Sequence, residues 1–223
     1  MKTLDPSSPP LIGNVWSMLQ PSFKKHRKKV AWLVREGKKS KRKVSYGELE
    51  KAALTIAALL RSEGVGEGDV VGVTAPNGPE WTAATLAGWK LGARVAPIHI
   101  GNSEAEIQAQ VDAIQPKAML GFNTIQLTDN QHLISLKADE EAVKAERGIE
   151  VPDNPEAIAL LLYTSGSTGN PKVAKLTHQN VGSNALAAMN ELTANASDRF
   201  ISLLPLSHAM GILGTVTFPL YVG

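Results

Sequence analysis

An α/β fold, a mostly parallel sheet flanked by helices, is what this 223-residue sequence predicts. Three observations carry the prediction. Short apolar runs alternate with helical repeats in a β-α-β-α-β order between about residues 44 and 122. The helical repeats start and stop on residues suited to those positions. A later apolar run, "AIALLLYT" at 157–164, is rich enough for a central strand.

The elements follow in order. "VAWLVREG" (30–37) and "RKVSYGEL" (42–49) open as two strands of a hairpin, with a basic run at their turn. Residues 45–64 are helical, since Leu49, Ala52, Ala53, Ile56, Leu59 and Leu60 recur at helical spacing and Gly64 ends them. Residues 68–76 form a short apolar strand. A helix over 78–92 has Pro79 in its first turn and Gly92 after its last. A strand at 94–100 precedes a helix at 103–116, capped by Ser103 with Glu106 three residues on and stopped by Pro116. A strand at 117–122 follows. The stretch 121–157 reads as a weak strand, a helix over 139–147 and a linker. Beyond the strand at 157–164 come a second strand at 172–177, a helix at 178–194 capped by Thr177, a strand at 198–205 and a buried helix at 207–223.

Composition narrows the function classes. The chain has 43% hydrophobic and 20% charged residues and no cysteine, so a disulfide framework and a thiolate metal site are excluded. An absent signal peptide and absent cysteine fit a cytoplasmic protein. Net charge is +2, yet residues 1–50 carry +8 and the remainder −6. The basic runs "KKHRKK" and "KKSKRK" read as solvated faces, because no aromatic residues interleave them as stacking on nucleic acid requires. No specific nucleic-acid partner is expected. Residues 200–223 carry no formal charge and are long enough to span a bilayer, but Pro205, His208 and Pro219 interrupt them, so no transmembrane segment is expected.

The chemistry centres on "LLLYTSGSTGNPKVAKLTH", residues 160–178. An apolar run breaks into Thr164, Ser165, Gly166, Ser167, Thr168 and Gly169, then Pro171 and Lys172, and resumes. Six consecutive Ser, Thr and Gly residues exceed what a turn requires. Glycines let backbone N–H groups approach an anion, hydroxyls donate to phosphate oxygens, and Lys172 supplies a mobile positive charge. A Walker loop is excluded: the glycines are too close, Pro171 precedes the lysine, and Val173 follows it where Ser or Thr is needed. No G-x-S-x-G elbow supports a serine hydrolase. "GVGEGD" (64–69) follows a helix and precedes a strand, the reverse of a dinucleotide fingerprint. His26, His99 and His132 show no metal-ligand spacing.

"YTSGSTGNPKVAKLTHQN" resembles the signature of the adenylate-forming superfamily, the AMP-dependent synthetases and ligases, and most closely its acyl-CoA synthetases. "VSYGELEKAALTIAALLRSEGVGEGDVVGVTAPNGPEW", "LAGWKLGARVAPIHI" and "LLPLSHAMGILG" are similar to further blocks of that family, in the same order over about residues 30–223. The resemblance implies the N-terminal part of the adenylate-forming fold: a basic leader and hairpin over 1–43, then over 44–223 the N-terminal part of a large AMP-binding domain. It also implies a reaction. A carboxylate, a fatty or aryl acid, attacks the α-phosphate of ATP to give acyl-AMP, and coenzyme A or a pantetheine thiol then takes the acyl group.

By the same resemblance Thr164, Ser165, Gly166, Ser167, Thr168, Gly169 and Lys172 hold the ATP phosphates, with Mg²⁺ bound through the triphosphate and no metal ligand assigned in this chain. Lys172 and His208 are the expected catalytic residues, His208 lining the carboxylate site. Amino-acid-activating relatives place an aspartate near there. This chain has no acidic residue after Asp198, and an unpaired buried ammonium is costly, so an amino acid substrate is disfavoured. One departure stands out: Val173-Ala174 replaces the usual Gly-Val. The family's later blocks do not occur here, so the expectation is an N-terminal piece, inactive alone, whose uncovered tail self-associates or meets a complementary C-terminal fragment. The alternative is a non-catalytic fragment that binds a nucleotide or another anion.

Overall fold

The structure, a computed structural model, describes residues 13–37, 40–121, 140–164 and 172–223. The sheet order is β5-β3-β4-β6-β7, with β3 (Val70–Thr74), β4 (Arg94–Pro97), β5 (Ala118–Gly121) and β6 (Ile158–Thr164) parallel to their neighbours and β7 (Lys172–Thr177) antiparallel at the edge. A separate antiparallel hairpin joins β1 (Val30–Glu36) to β2 (Ser40–Ser45). The α/β class read from the sequence is the class observed.

Both faces of the sheet are covered, which explains strands that are apolar throughout. Val71, Val73, Val95, Leu160 and Leu162 share one large core with α1 (Val15–Lys25), α2 (Tyr46–Ser62) and α3 (Pro79–Lys90). Their sequence neighbours Val70, Ala96 and Leu161 point the other way, toward Ile114 at the end of α4 (Glu104–Ile114). Alternation along each strand forces this division. Helix α3 lies wholly in the interior: every residue from Pro79 to Lys90 except Glu80 is buried.

Local signals set the helix starts. Ser45 with Glu48 and Ser103 with Glu106 make full capping boxes, each serine accepting from the third helical N–H while the glutamate accepts from the serine N–H. Gly64 ends α2 with φ +77°, a conformation that costs glycine little. Helix α5 (Glu140–Gly148) agrees with the helix read at 139–147; the weak strand read just before it falls largely outside the described residues.

Three features differ from the sequence reading. Residues 15–25 form a helix that the basic leader did not suggest. Val15, Trp16, Leu19 and Phe23 face the main core despite Pro21 within the helix. The strand expected at 198–205 is irregular chain without a ladder, and most of it is exposed; apolar content alone cannot make a strand without a neighbour to bond, and no described strand pairs with it. The terminal helix expected at 207–223 is interrupted. Helix α7 (Ala209–Ile212) runs through a π-helical stretch (Leu213–Thr217) into α8 (Phe218–Val222). Pro219 has no N–H to donate one turn back, while the hydroxyl of Thr217 donates to the Ile212 carbonyl at 3.3 Å and that of Thr215 to Gly211 at 2.6 Å. No helix among the described residues is long and apolar enough to cross a membrane.

Candidate functional site

Strands β6 and β7 run antiparallel in the register Leu162 with Ala174, Tyr163 with Val173 and Thr164 with Lys172. The last of these pairs joins the two ends of the Gly-, Ser- and Thr-rich stretch. The Thr164 hydroxyl donates to the Lys172 carbonyl at 3.4 Å, and both side chains are exposed. Because β6 is parallel to β4, and β4 to β3 and β5, this neck stands at the carboxyl end of the parallel strands, where open α/β sheets bind ligands. Of the residues expected to hold phosphates, Thr164 and Lys172 are thus brought together; Ser165, Gly166, Ser167, Thr168 and Gly169 lie outside the described residues.

Two neighbours fix the neck. The Tyr163 hydroxyl donates to the Gln110 carbonyl of α4 at 2.6 Å, and burial raises the pKa of its phenol. Val173, where the resembled pattern has glycine, lies in β7 opposite Tyr163 and has no positive φ. Val173 sits within the β7 ladder, so valine strains nothing.

Beyond β7 the chain turns at Thr177, whose hydroxyl caps α6 (His178–Leu192) in a capping box with Asn180. His178 is 1% exposed. Its Nδ1 lies 3.2 Å from the Val15 N–H, which donates to it, and its Nε2 lies 3.4 Å from Nδ2 of Asn14. Burial lowers its pKa to about 4. Asn14, the N-cap of α1, lies beside it and donates through Nδ2 to the Trp89 carbonyl at 2.8 Å, while the Trp89 indole donates to Ala159 of β6 at 3.0 Å. These bonds tie α1, α3, β6 and the start of α6 together behind the neck. The sequence reading assigned His178 to the helix start but missed its partner Asn14, which sits 164 residues away.

His208 stands elsewhere, as the N-cap residue of α7, exposed and extended (φ −107°, ψ 144°). Among the described residues no hydrogen bond or ion pair links it to Thr164 or Lys172. It follows a tight turn. The His208 N–H donates to the Pro205 carbonyl at 3.0 Å and Leu206 is buried in the main core. The Ser207 hydroxyl lies 3.2 Å from Nδ1 of His99, just past β4. Asn77, in the turn after β3, grips the same turn: its Nδ2 donates to the Leu204 carbonyl at 2.7 Å and its Oδ1 accepts from the Leu206 N–H at 2.9 Å. Neither Asn77 nor His99 carried a sequence signal, since both act across more than a hundred residues. Among the described residues no cluster of three or more His, Asp and Glu could hold a metal ion.

Comparison with known proteins gives this geometry a context. The family model described as AMP-binding enzyme matches residues 19–223. The chain is 35% identical over 152 residues to the nonribosomal peptide synthetase tcpP of Claviceps purpurea, covering 64% of this chain and 7% of that protein. It is 30% identical over 183 residues to a feruloyl-CoA synthase of an Amycolatopsis species, covering 79% of this chain and 36% of the relative. The fatty acid AMP ligase of Legionella pneumophila has the same fold, with a TM-score of 0.82 at 23% identity over 98% of this chain and 40% of that one. This chain therefore spans well under half the length of those three relatives. Matched by its family model from α1 to its last residue, the chain belongs to the AMP-binding enzyme family.

Proposed function

We propose that this chain is the N-terminal portion of an ATP-dependent carboxylate ligase, which forms an acyl-AMP from a fatty or aryl acid and passes the acyl group to coenzyme A or a pantetheine thiol. One observation carries the reading: Thr164 and Lys172 face each other across the β6–β7 ladder at the carboxyl end of the parallel strands. A hydroxyl and an ammonium held at that neck suit the phosphates of ATP.

In this reading Thr164, Ser165, Gly166, Ser167, Thr168, Gly169 and Lys172 hold the β- and γ-phosphates, and Lys172 offsets charge leaving as pyrophosphate. Magnesium bound through the triphosphate shares that charge when present. His208 lines the acid's site. The stretch 199–223, which contains His208, carries no Asp or Glu to pair with a substrate ammonium, and this supports an acid without one.

ATP–pyrophosphate exchange with a panel of fatty and aryl acids tests the proposal, measured on the longest polypeptide that carries these residues. Lys172→Ala is expected to lower exchange about a hundredfold, the scale of one electrostatic transition-state contact. Undiminished exchange in that variant sinks the assignment of Lys172. The short span relative to family members favours a second outcome for the 223 residues on their own, anion or nucleotide binding without turnover. Robust exchange by the isolated chain excludes that outcome.

A further inference from the structure

We propose that Asn77 is a positioning residue that fixes the turn presenting His208. The inference rests on the proposed role of His208 at the acid's site, and assigns how that imidazole is held. Four observations converge on the turn. The carboxamide of Asn77 bonds both sides of Pro205, donating to the Leu204 carbonyl at 2.7 Å and accepting from the Leu206 N–H at 2.9 Å. One planar group with a donor and an acceptor can satisfy a carbonyl and an N–H two residues apart, as a neighbouring strand would. No described strand pairs with residues 199–204, so the amide side chain takes the place of a missing ladder.

Leu206 is buried in the main core while His208 is exposed, so the turn has a fixed inner side and a displayed outer side. The Ser207 hydroxyl meets Nδ1 of His99, a second tether from the carboxyl end of β4. Finally, Gly211 lets helix α7 close on the turn: a Cβ there would lie 2.1 Å from the Pro205 carbonyl oxygen. The turn is thus held from β3 through Asn77, from β4 through His99 and from α7 through Gly211. Among the described residues, only the side chain of Asn77 bonds the backbone on both flanks of Pro205.

Asn77 is itself exposed, so its bonds contribute modestly to global stability. That separates a positioning role from a merely structural one. The test uses the full chain with Asn77→Leu, which removes both bonds, and Asn77→Asp, which keeps the acceptor for Leu206 N–H and loses the donor to Leu204. Amide exchange at Leu206 is expected to accelerate about tenfold in Asn77→Leu, the size of one lost hydrogen bond, and to stay near the parent in Asn77→Asp. The ring resonance of His208 should shift and broaden in Asn77→Leu and return toward the parent position in Asn77→Asp, with thermal midpoints nearly unchanged. Leu206 exchange within twofold of the parent and an unmoved His208 resonance in Asn77→Leu overturn the proposal. If His208→Ala leaves acid-dependent exchange intact, the role of His208 fails while the Asn77 clamp stands, so the two failures are distinguishable.

Discussion

Glu146 is 2% exposed, and so is a carboxylate held almost entirely out of water. Its oxygens accept from Nε and Nη2 of Arg61 at 2.8 and 3.0 Å, and Lys90, 1% exposed, lies 3.9 Å from it. Burial lowers the pKa of Lys90, and Glu146 opposes that shift. Desolvating such charges costs several kcal/mol unless they remain paired, so the loss of one partner matters more than the pair's net worth. Glu146→Ala leaves the buried Lys90 ammonium without a counter-charge, holding only the Ile149 carbonyl to which it donates at 2.5 Å, and is expected to destabilise the fold by about 3 kcal/mol, read as a lower urea midpoint. Adding Lys90→Met should recover much of that loss, because Arg61 is partly exposed and can be solvated. An unchanged midpoint in the single variant would show that water reaches Lys90.

At the scale of elements, the contact between α1 and the start of α6 is sensitive to acid. Burial holds His178 near a pKa of 4, against an ordinary 6.5. The unfolded ring therefore takes up a proton at higher pH than the folded one. Stability from this group is complete above about pH 6.5 and declines between 6.5 and 4, by about 3 kcal/mol in all. His178→Gln removes the titrating group, and its stability should fall less steeply across that window; parallel slopes for parent and variant would rule out the effect. The sequence made part of this arrangement legible. Ser103 and Thr177 announce their helices because a cap is satisfied within three residues; the capping box of Ser45 and Glu48, of the same local kind, was not read. The Thr164–Lys172 neck was legible for the same reason, since both strands flank the motif. Helix α1 was obscured by Pro21 and by the lysines at its end, although Trp16, Leu19 and Phe23 recur at helical spacing. Asn77 and Asn14 were beyond reach, because a polar side chain in a turn gives no hint of a partner a hundred residues away.

For the whole molecule, the unpaired stretch after Arg199 dominates surface behaviour. Ile201 is 75% and Leu203 82% exposed, and Phe200, Leu204 and Met210 are exposed beside them. Several large apolar side chains exposed within one short stretch favour association where they form a common patch. The 223-residue chain is expected to self-associate, and Ile201→Lys with Leu203→Lys to lower its mass in light scattering; a monodisperse parent monomer contradicts this. The sheet order has a separate consequence for how the chain reaches its native state. Thr164 and Lys172 stand eight residues apart, whereas β6 must find β4 across the whole of α4, β5 and α5. Hairpins of this span close in about 1–10 μs, and non-local parallel pairing is slower. The β6–β7 hairpin is therefore expected to nucleate early, so that the Thr164–Lys172 neck exists as a local unit before the parallel strands accept it, and a folding defect in the rest of the sheet can leave it formed but undocked.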